Sequence, residues 1–250
     1  MTLFGTGIAE TVMVDPTFPL AMNGLEVRIN GRQAPIYKTS PGEVSVVVPY
    51  DLGDPKEIVA EIQVIRNGVP SNRVTTFLNR ETPGLFTLNS TGVGYAGALH
   101  PDFSLVTASH PALPGEFIAF FLSGMGPVNP TVVAGTPAPV NPLSRTTTTF
   151  SPFIQRRPAP VQFSGLAPTL GGLYQFNLQI PTQSLPGDWF LEVDGPNSIN
   201  SQVQIPIGSP VIVGDQVDQG AAAVTRPVNR RPSRPTRPTE PSPRVRPGGD

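Results

Sequence analysis

The chain has 250 residues with no cysteine, 32 prolines and 25 glycines; 38% of its side chains are apolar, 14% are charged and the net charge is −1. Absence of cysteine excludes disulfides and thiolate metal sites, and the proline and glycine density leaves little room for long helices. No apolar run approaches the roughly 20 residues of a membrane-crossing helix, and the N-terminus lacks the basic and apolar stretches of a signal peptide.

The near-neutral balance hides an asymmetry. From Thr225 onward there are seven arginines against two acids, so the preceding part carries ten basic and sixteen acidic residues. The body is mildly acidic and the tail basic.

In chain order, Thr2-Leu3-Phe4-Gly5-Thr6-Gly7-Ile8 opens on a β-rich run closed by glycines, and Met1 falls inside the strand that this run predicts. Leu25 to Asn30 alternates, with Leu25, Val27 and Ile29 on one face, as a half-buried strand does. Val44 to Val48 is more uniformly apolar and reads as a central strand covered on both faces, stopped by Pro49. Ile58 to Ile65 runs into Asn67-Gly68, a hairpin signal because a type I′ turn needs positive φ at both central residues; Val74 to Leu78 is the return strand. A connecting segment reaches to about Leu113, with short strands expected at Tyr95 to Leu99 and Ser104 to Val106, packed along the domain junction. Its Gly92, Gly94 and Gly97 lack the strand-then-helix context of a dinucleotide loop.

The second half starts with Pro114-Gly115-Glu116-Phe117 and contains the clearest strand of the chain, Tyr174 to Ile180, where Tyr174, Phe176, Leu178 and Ile180 alternate with Gln175, Asn177 and Gln179. Trp189, Leu191 and Val193, then Val203, Ile205 and Ile207, form the next inward rows. The halves pair at four anchors: Phe4–Ile8 with Phe121–Met125, Ala34-Pro35 with Ala159-Pro160, Val48-Pro49 with Ile180-Pro181, and Val74 with Val203, at offsets of 117, 125, 132 and 129. Several short strands over roughly 90 residues per copy predict an immunoglobulin-like sandwich. The expected fold is all-β: a first immunoglobulin-like β-sandwich over 1–80 lacking its first strand, a connecting segment over 81–113, a second sandwich over 114–210 and a disordered Pro/Arg-rich tail over 211–250. In that tail Pro232, Pro235, Pro238 and Pro241 keep a three-residue step beside Arg231, Arg234 and Arg237, the period of a polyproline II helix.

Gly115-Glu116, Ser123-Gly124-Met125-Gly126-Pro127-Val128, Gly165-Leu166-Ala167-Pro168, Gly172-Leu173-Tyr174-Gln175-Phe176-Asn177 and Ile180-Pro181 form a pattern. It resembles the uncharacterised C-terminal domain family of large exported proteins of soil Acidobacteria (the Solibacter-type C-terminal domain), with Phe176, Leu178 and Ile180 where that family usually has valines. Pro83-Gly84-Leu85-Phe86 is similar to its inter-repeat turn. The resemblance covers about residues 2 to 208 and implies an immunoglobulin-like, exported, C-terminal module behind other extracellular domains, with its signal peptide upstream of this sequence. It brings no catalytic residue.

The chemistry-bearing residues are few. His100 and His110, each followed by proline, read as solvated turn residues; a hydrolase would need one of them beside a serine or carboxylate in a cleft. Ser123 lies in Leu-Ser-Gly-Met-Gly rather than the Gly-x-Ser-x-Gly of a nucleophile elbow. Asp51, Asp54 and Glu57 offer oxygen ligands, though not at EF-hand spacing. Trp189, if exposed, offers a ring for sugar stacking, whereas a core position excludes it. Arg231, Arg234, Arg237, Arg244 and Arg246 suit an anionic surface. The expectation is a non-enzymatic extracellular structural or adhesion module at the cell surface, with no cofactor or metal, no specific nucleic acid, and an anionic cell-surface polymer or another domain of the same protein as partner. The alternative is a carbohydrate-binding module.

Overall fold

The computed structural model describes residues 1–50, 52, 59–196 and 198–209. Strands and turns make up these residues, with no helix among them, so the chain is all-β. Asp51, Asp54, Glu57 and the Pro/Arg-rich segment lie outside the described residues.

The first lobe comprises β1 (Thr2–Phe4), β2 (Met13–Val14), β3 (Leu25–Ile29), β4 (Arg32–Gln33), β5 (Ile36–Thr39), β6 (Glu43–Val46), β7 (Val59–Arg66) and β8 (Val69–Phe77). They form two four-stranded sheets, ordered β1-β6-β5-β2 and β4-β3-β7-β8. Alternation places Leu25, Val27 and Ile29 of one sheet and Val44 and Val46 of the other in a shared core with Ile36, Ala60 and Ile62. Strand β6 is buried on one face only, with Glu43 and Ser45 half-exposed on the other, so it is not the doubly covered strand that its valine content predicts. The Asn67-Gly68 turn has φ of 49° and 80°, as the hairpin signal requires. Met1 exchanges both backbone hydrogen bonds with Val46 ahead of β1.

A connecting segment follows with β9 (Gly84–Leu85), β10 (Gly94–Tyr95) and β11 (Ala98–Leu99). Its strands pair with the second lobe: β9 and β11 antiparallel to β12 (Phe117–Ser123), and β10 parallel to β20 (Ser198–Ile207), while Thr82 and Phe86 line a groove between the lobes. The rest of that lobe is β13 (Val128–Asn129), β14 (Arg145–Thr146), β15 (Ser151–Ile154), β16 (Arg157–Pro158), β17 (Val161–Leu166), β18 (Tyr174–Gln179) and β19 (Gly187–Gly195). Its sheets run β11-β12-β18-β17-β14-β13 and β10-β20-β19-β15-β16, and enclose a core that includes Phe120, Phe176, Leu178, Leu191 and Ile205.

The two lobes share one plan. Exchanging β1 for β12 and β2 through β8 for β14 through β20 turns the sheet orders of the first lobe into the runs β12-β18-β17-β14 and β16-β15-β19-β20 within those of the second. The registers agree residue by residue: Leu3 faces Val44 as Phe120 faces Phe176, and Ile62 lies between Ile29 and Val74 as Leu191 lies between Ile154 and Val203. Ala34 donates to Val27 and Ala159 to Pro152 at the same point of each copy. Both lobes nevertheless belong to one compact unit, Met1–Val211.

Candidate functional site

Two clusters concentrate the polar and aromatic chemistry of the described residues, and the first is the junction between the lobes. The β17–β18 turn of the second lobe carries Gly171 and Gly172, and the loop after β13 carries Gly135. A Cβ on Gly172 would come within 2.5 Å of Val47, one on Gly171 within 3.0 Å of Phe18, and one on Gly135 within 2.7 Å of Pro35. First-lobe side chains thus rest directly on second-lobe backbone. Tyr174, next in the same motif, is buried and donates from Oη to the Gly126 carbonyl at 2.5 Å. Tyr50 crosses from the first lobe to pack against the second core, with its hydroxyl beside that of Tyr174. Burial pushes the Tyr50 phenol up to about 12, against the smaller opposing effect of the Tyr174 hydrogen bond. Burial also raises Tyr174, reinforced by the neighbouring Tyr50. Both phenols therefore stay protonated at neutral pH.

Beside this contact a groove of about 1310 Å³ opens between the lobes, lined in part by Phe18, Tyr37, Tyr50, Phe77, Phe86 and Tyr174. Phe18 and Tyr37 stack with centroids 5.5 Å apart. Ser123 also lines the groove, but no histidine or carboxylate does so among the described residues, so a general base for it is not provided there.

The second cluster corrects the reading of the histidines. His100 is buried, not solvated. Its Nδ1 lies 2.7 Å from Glu116 Oε1 and its Nε2 3.2 Å from the His110 carbonyl, while Glu116 Oε2 accepts from the Leu113 N–H at 2.8 Å. The His110 ring, on the surface, stacks on His100 with centroids 4.1 Å apart. Ser104 Oγ stands 3.4 Å from His110 Nδ1, but it donates its proton to Asp102 Oδ1 at 2.6 Å, and this bond, with the Ser104 N–H, holds the Asp102 carboxyl below its usual range. The serine is therefore oriented away from the role of a nucleophile delivering its proton to His110. What the cluster does is clasp: it ties the connecting segment to the start of β12. Glu116, noticed in the sequence only as part of a Gly-Glu pair, is its central member.

Trp189 is half-buried against the second core and donates from Nε1 to the Leu185 carbonyl at 2.9 Å. Its ring is thus partly covered and partly exposed.

No family model matches the chain, and no curated protein matches it. Among solved structures it is similar to the SGBP-B protein of a Bacteroides ovatus mixed-linkage glucan utilization locus in complex with a mixed-linkage heptasaccharide, at TM-score 0.27 and 10% identity over 81% of this chain and 41% of that one. It is also similar to a glycosyl hydrolase family 2 member from Bacteroides cellulosilyticus, at TM-score 0.24 and 11% identity over 74% and 21% of the two chains. A third likeness is to domains 4–9 of the surface layer protein SbsC, at TM-score 0.20 and 12% identity over 74% and 22%. The chain spans less than half the length of each, and TM-scores this low carry no argument about function.

Proposed function

We propose that the chain is a non-enzymatic structural or adhesion module of an exported bacterial protein, built from two immunoglobulin-like sandwiches. The observation that carries this reading is the junction: glycines admit the side chains of one lobe onto the backbone of the other, and Tyr50 packs across the seam against the second core. Such close approach makes the pair a stiff spacer rather than two beads on a flexible linker. The histidine cluster supports the same reading, because its polar atoms hold backbone and one another. The resemblance to exported C-terminal modules supports a location outside the cell, and Arg231, Arg234, Arg237, Arg244 and Arg246 add a salt-sensitive contact to an anionic cell-surface polymer. Single-molecule stretching between Met1 and Gly208 tests the spacer. The lobes are expected to resist and then unfold in one or two discrete steps; smooth extension without a step would overturn the reading.

A second reading, a carbohydrate-binding module, is favoured by the aromatic lining of the interlobe groove. Affinity gels separate the two. Retention on an anionic polysaccharide that disappears at high salt, with none on neutral mixed-linkage glucan, is the expected result. Retention on the neutral glucan that is lost in Tyr37→Ala would instead establish the groove as a sugar site.

A further inference from the structure

The shared plan of the two lobes exposes one difference between them. In the second lobe the connecting segment closes one flank of the sandwich: β10 pairs parallel to the outer edge of β20, β11 and β9 pair with the outer edge of β12, and Leu85, Ala96, Ala98, Val106 and Ala112 are buried beneath. The equivalent edges of the first lobe, β8 and β1, are end strands of their sheets among the described residues.

The side chains register the difference. Val74 of β8 is 53% exposed, while its counterpart Val203 is 1% exposed. Both stand on the core-facing row, opposite the buried Ile62 and Leu191. Phe4 of β1 is 79% exposed and Phe77 of β8 is 78% exposed, whereas the Phe4 counterpart, Phe121, is largely covered and accepts at its carbonyl from the Phe86 N–H. In β20 the carbonyls of Gln204 and Pro206 point outward and accept from Ala96 and Ala112. The same register turns the backbone groups of Thr75 and Phe77 outward in β8. An edge with unpaired backbone groups and an apolar row open beside it is a template for an added strand.

We propose that this flank of the first lobe is a docking site for an extended segment of another polypeptide, with the chemistry of residues 84–113. Such a segment enters parallel to β8 and antiparallel to β1, and sets small apolar side chains like Ala96 and Ala98 against Val74. The choice of occupant follows from the chain itself, which fills the equivalent flank with that geometry and those side chains.

Hydrogen exchange read by mass spectrometry on the full chain, with and without a synthetic peptide of residues 84–113, tests this. In the free chain the amides of β8 and β1 are expected to exchange quickly while those of β20 and β12 are protected. Excess peptide should slow β8 and β1 at least tenfold. Thr75→Pro, which removes an outward N–H without touching the β7 ladder, should abolish that protection, and so should Val74→Asp. Lack of any peptide effect at β8 would overturn the proposal. Protection that grows with protein concentration alone would overturn it in favour of a second copy. Protection already present in the free chain, and lost when the chain ends at Gly208, would overturn it in favour of the chain's own C-terminal segment.

Discussion

Gly172→Ala is expected to destabilise the protein by about 2–4 kcal/mol and to loosen the two lobes from each other. The first contribution is conformational: Gly172 has φ +66°, and a side chain in the left-handed region costs roughly 1–2 kcal/mol. The second is steric, since the new methyl would lie 2.5 Å from one Val47 methyl and 3.2 Å from the other. Overpacking of this kind typically costs about 1–3 kcal/mol. Gly7 provides the control. It has the same φ of +66°, but a methyl added there would meet nothing within 4 Å, so Gly7→Ala should show the conformational cost alone. Urea denaturation of both variants measures the difference. Equal destabilisation would mean that the lobes do not bear on each other at Val47, and the stiff-spacer reading would fall with it.

Gly172 also shows where the sequence is and is not legible. The Gly-Leu-Tyr-Gln-Phe-Asn block stands out in the linear chain, and its alternation correctly gives β18 and the inward row of Tyr174, Phe176 and Leu178. The purpose of its glycine does not, because Val47 lies 125 residues away and touches it only once both lobes have folded. The Asn67-Gly68 hairpin is legible because asparagine and glycine tolerate positive φ. The turn between β15 and β16 is not, since Gln155 and Arg156 adopt φ of 56° and 58° where the matching β3–β4 turn of the first lobe has Asn30 and Gly31; there the flanking strands impose the turn. The connecting segment is legible as short strands, but their partners are not, because strand pairing depends on which edges the finished sandwich leaves open. The histidines illustrate the same limit. A proline after each suggests a solvated turn, yet His100 is buried by a carboxylate sixteen residues on, and no local pattern announces that pairing.

That carboxylate should be the most costly single polar group to remove. Glu116→Ala leaves the buried His100 Nδ1 and the Leu113 N–H without the oxygens that now serve them, and it frees the connecting segment from the start of β12. Leaving a buried donor unsatisfied costs roughly 1–3 kcal/mol, so two cost about 2–6 kcal/mol. Glu116 retains 20% side-chain exposure, so water repays part of this and about 3 kcal/mol is the expected loss. Glu116→Gln separates geometry from charge. The glutamine oxygen can still accept from Leu113, and its amide can donate to Nδ1 while His100 donates from Nε2 to the His110 carbonyl. Every polar atom of the clasp is then satisfied with a neutral ring, and the loss should stay near 1 kcal/mol, within the net worth of an ordinary hydrogen bond. Thermal denaturation of the two variants decides between a clasp and a reactive pair. A glutamine variant as unstable as the alanine one would show that the cluster needs its charge, and a hydrolytic role for the histidines would have to be reconsidered. A glutamine variant near wild type makes His100 and Glu116 what their hydrogen bonds suggest, the fastening that holds the connecting segment across the second lobe's open edges.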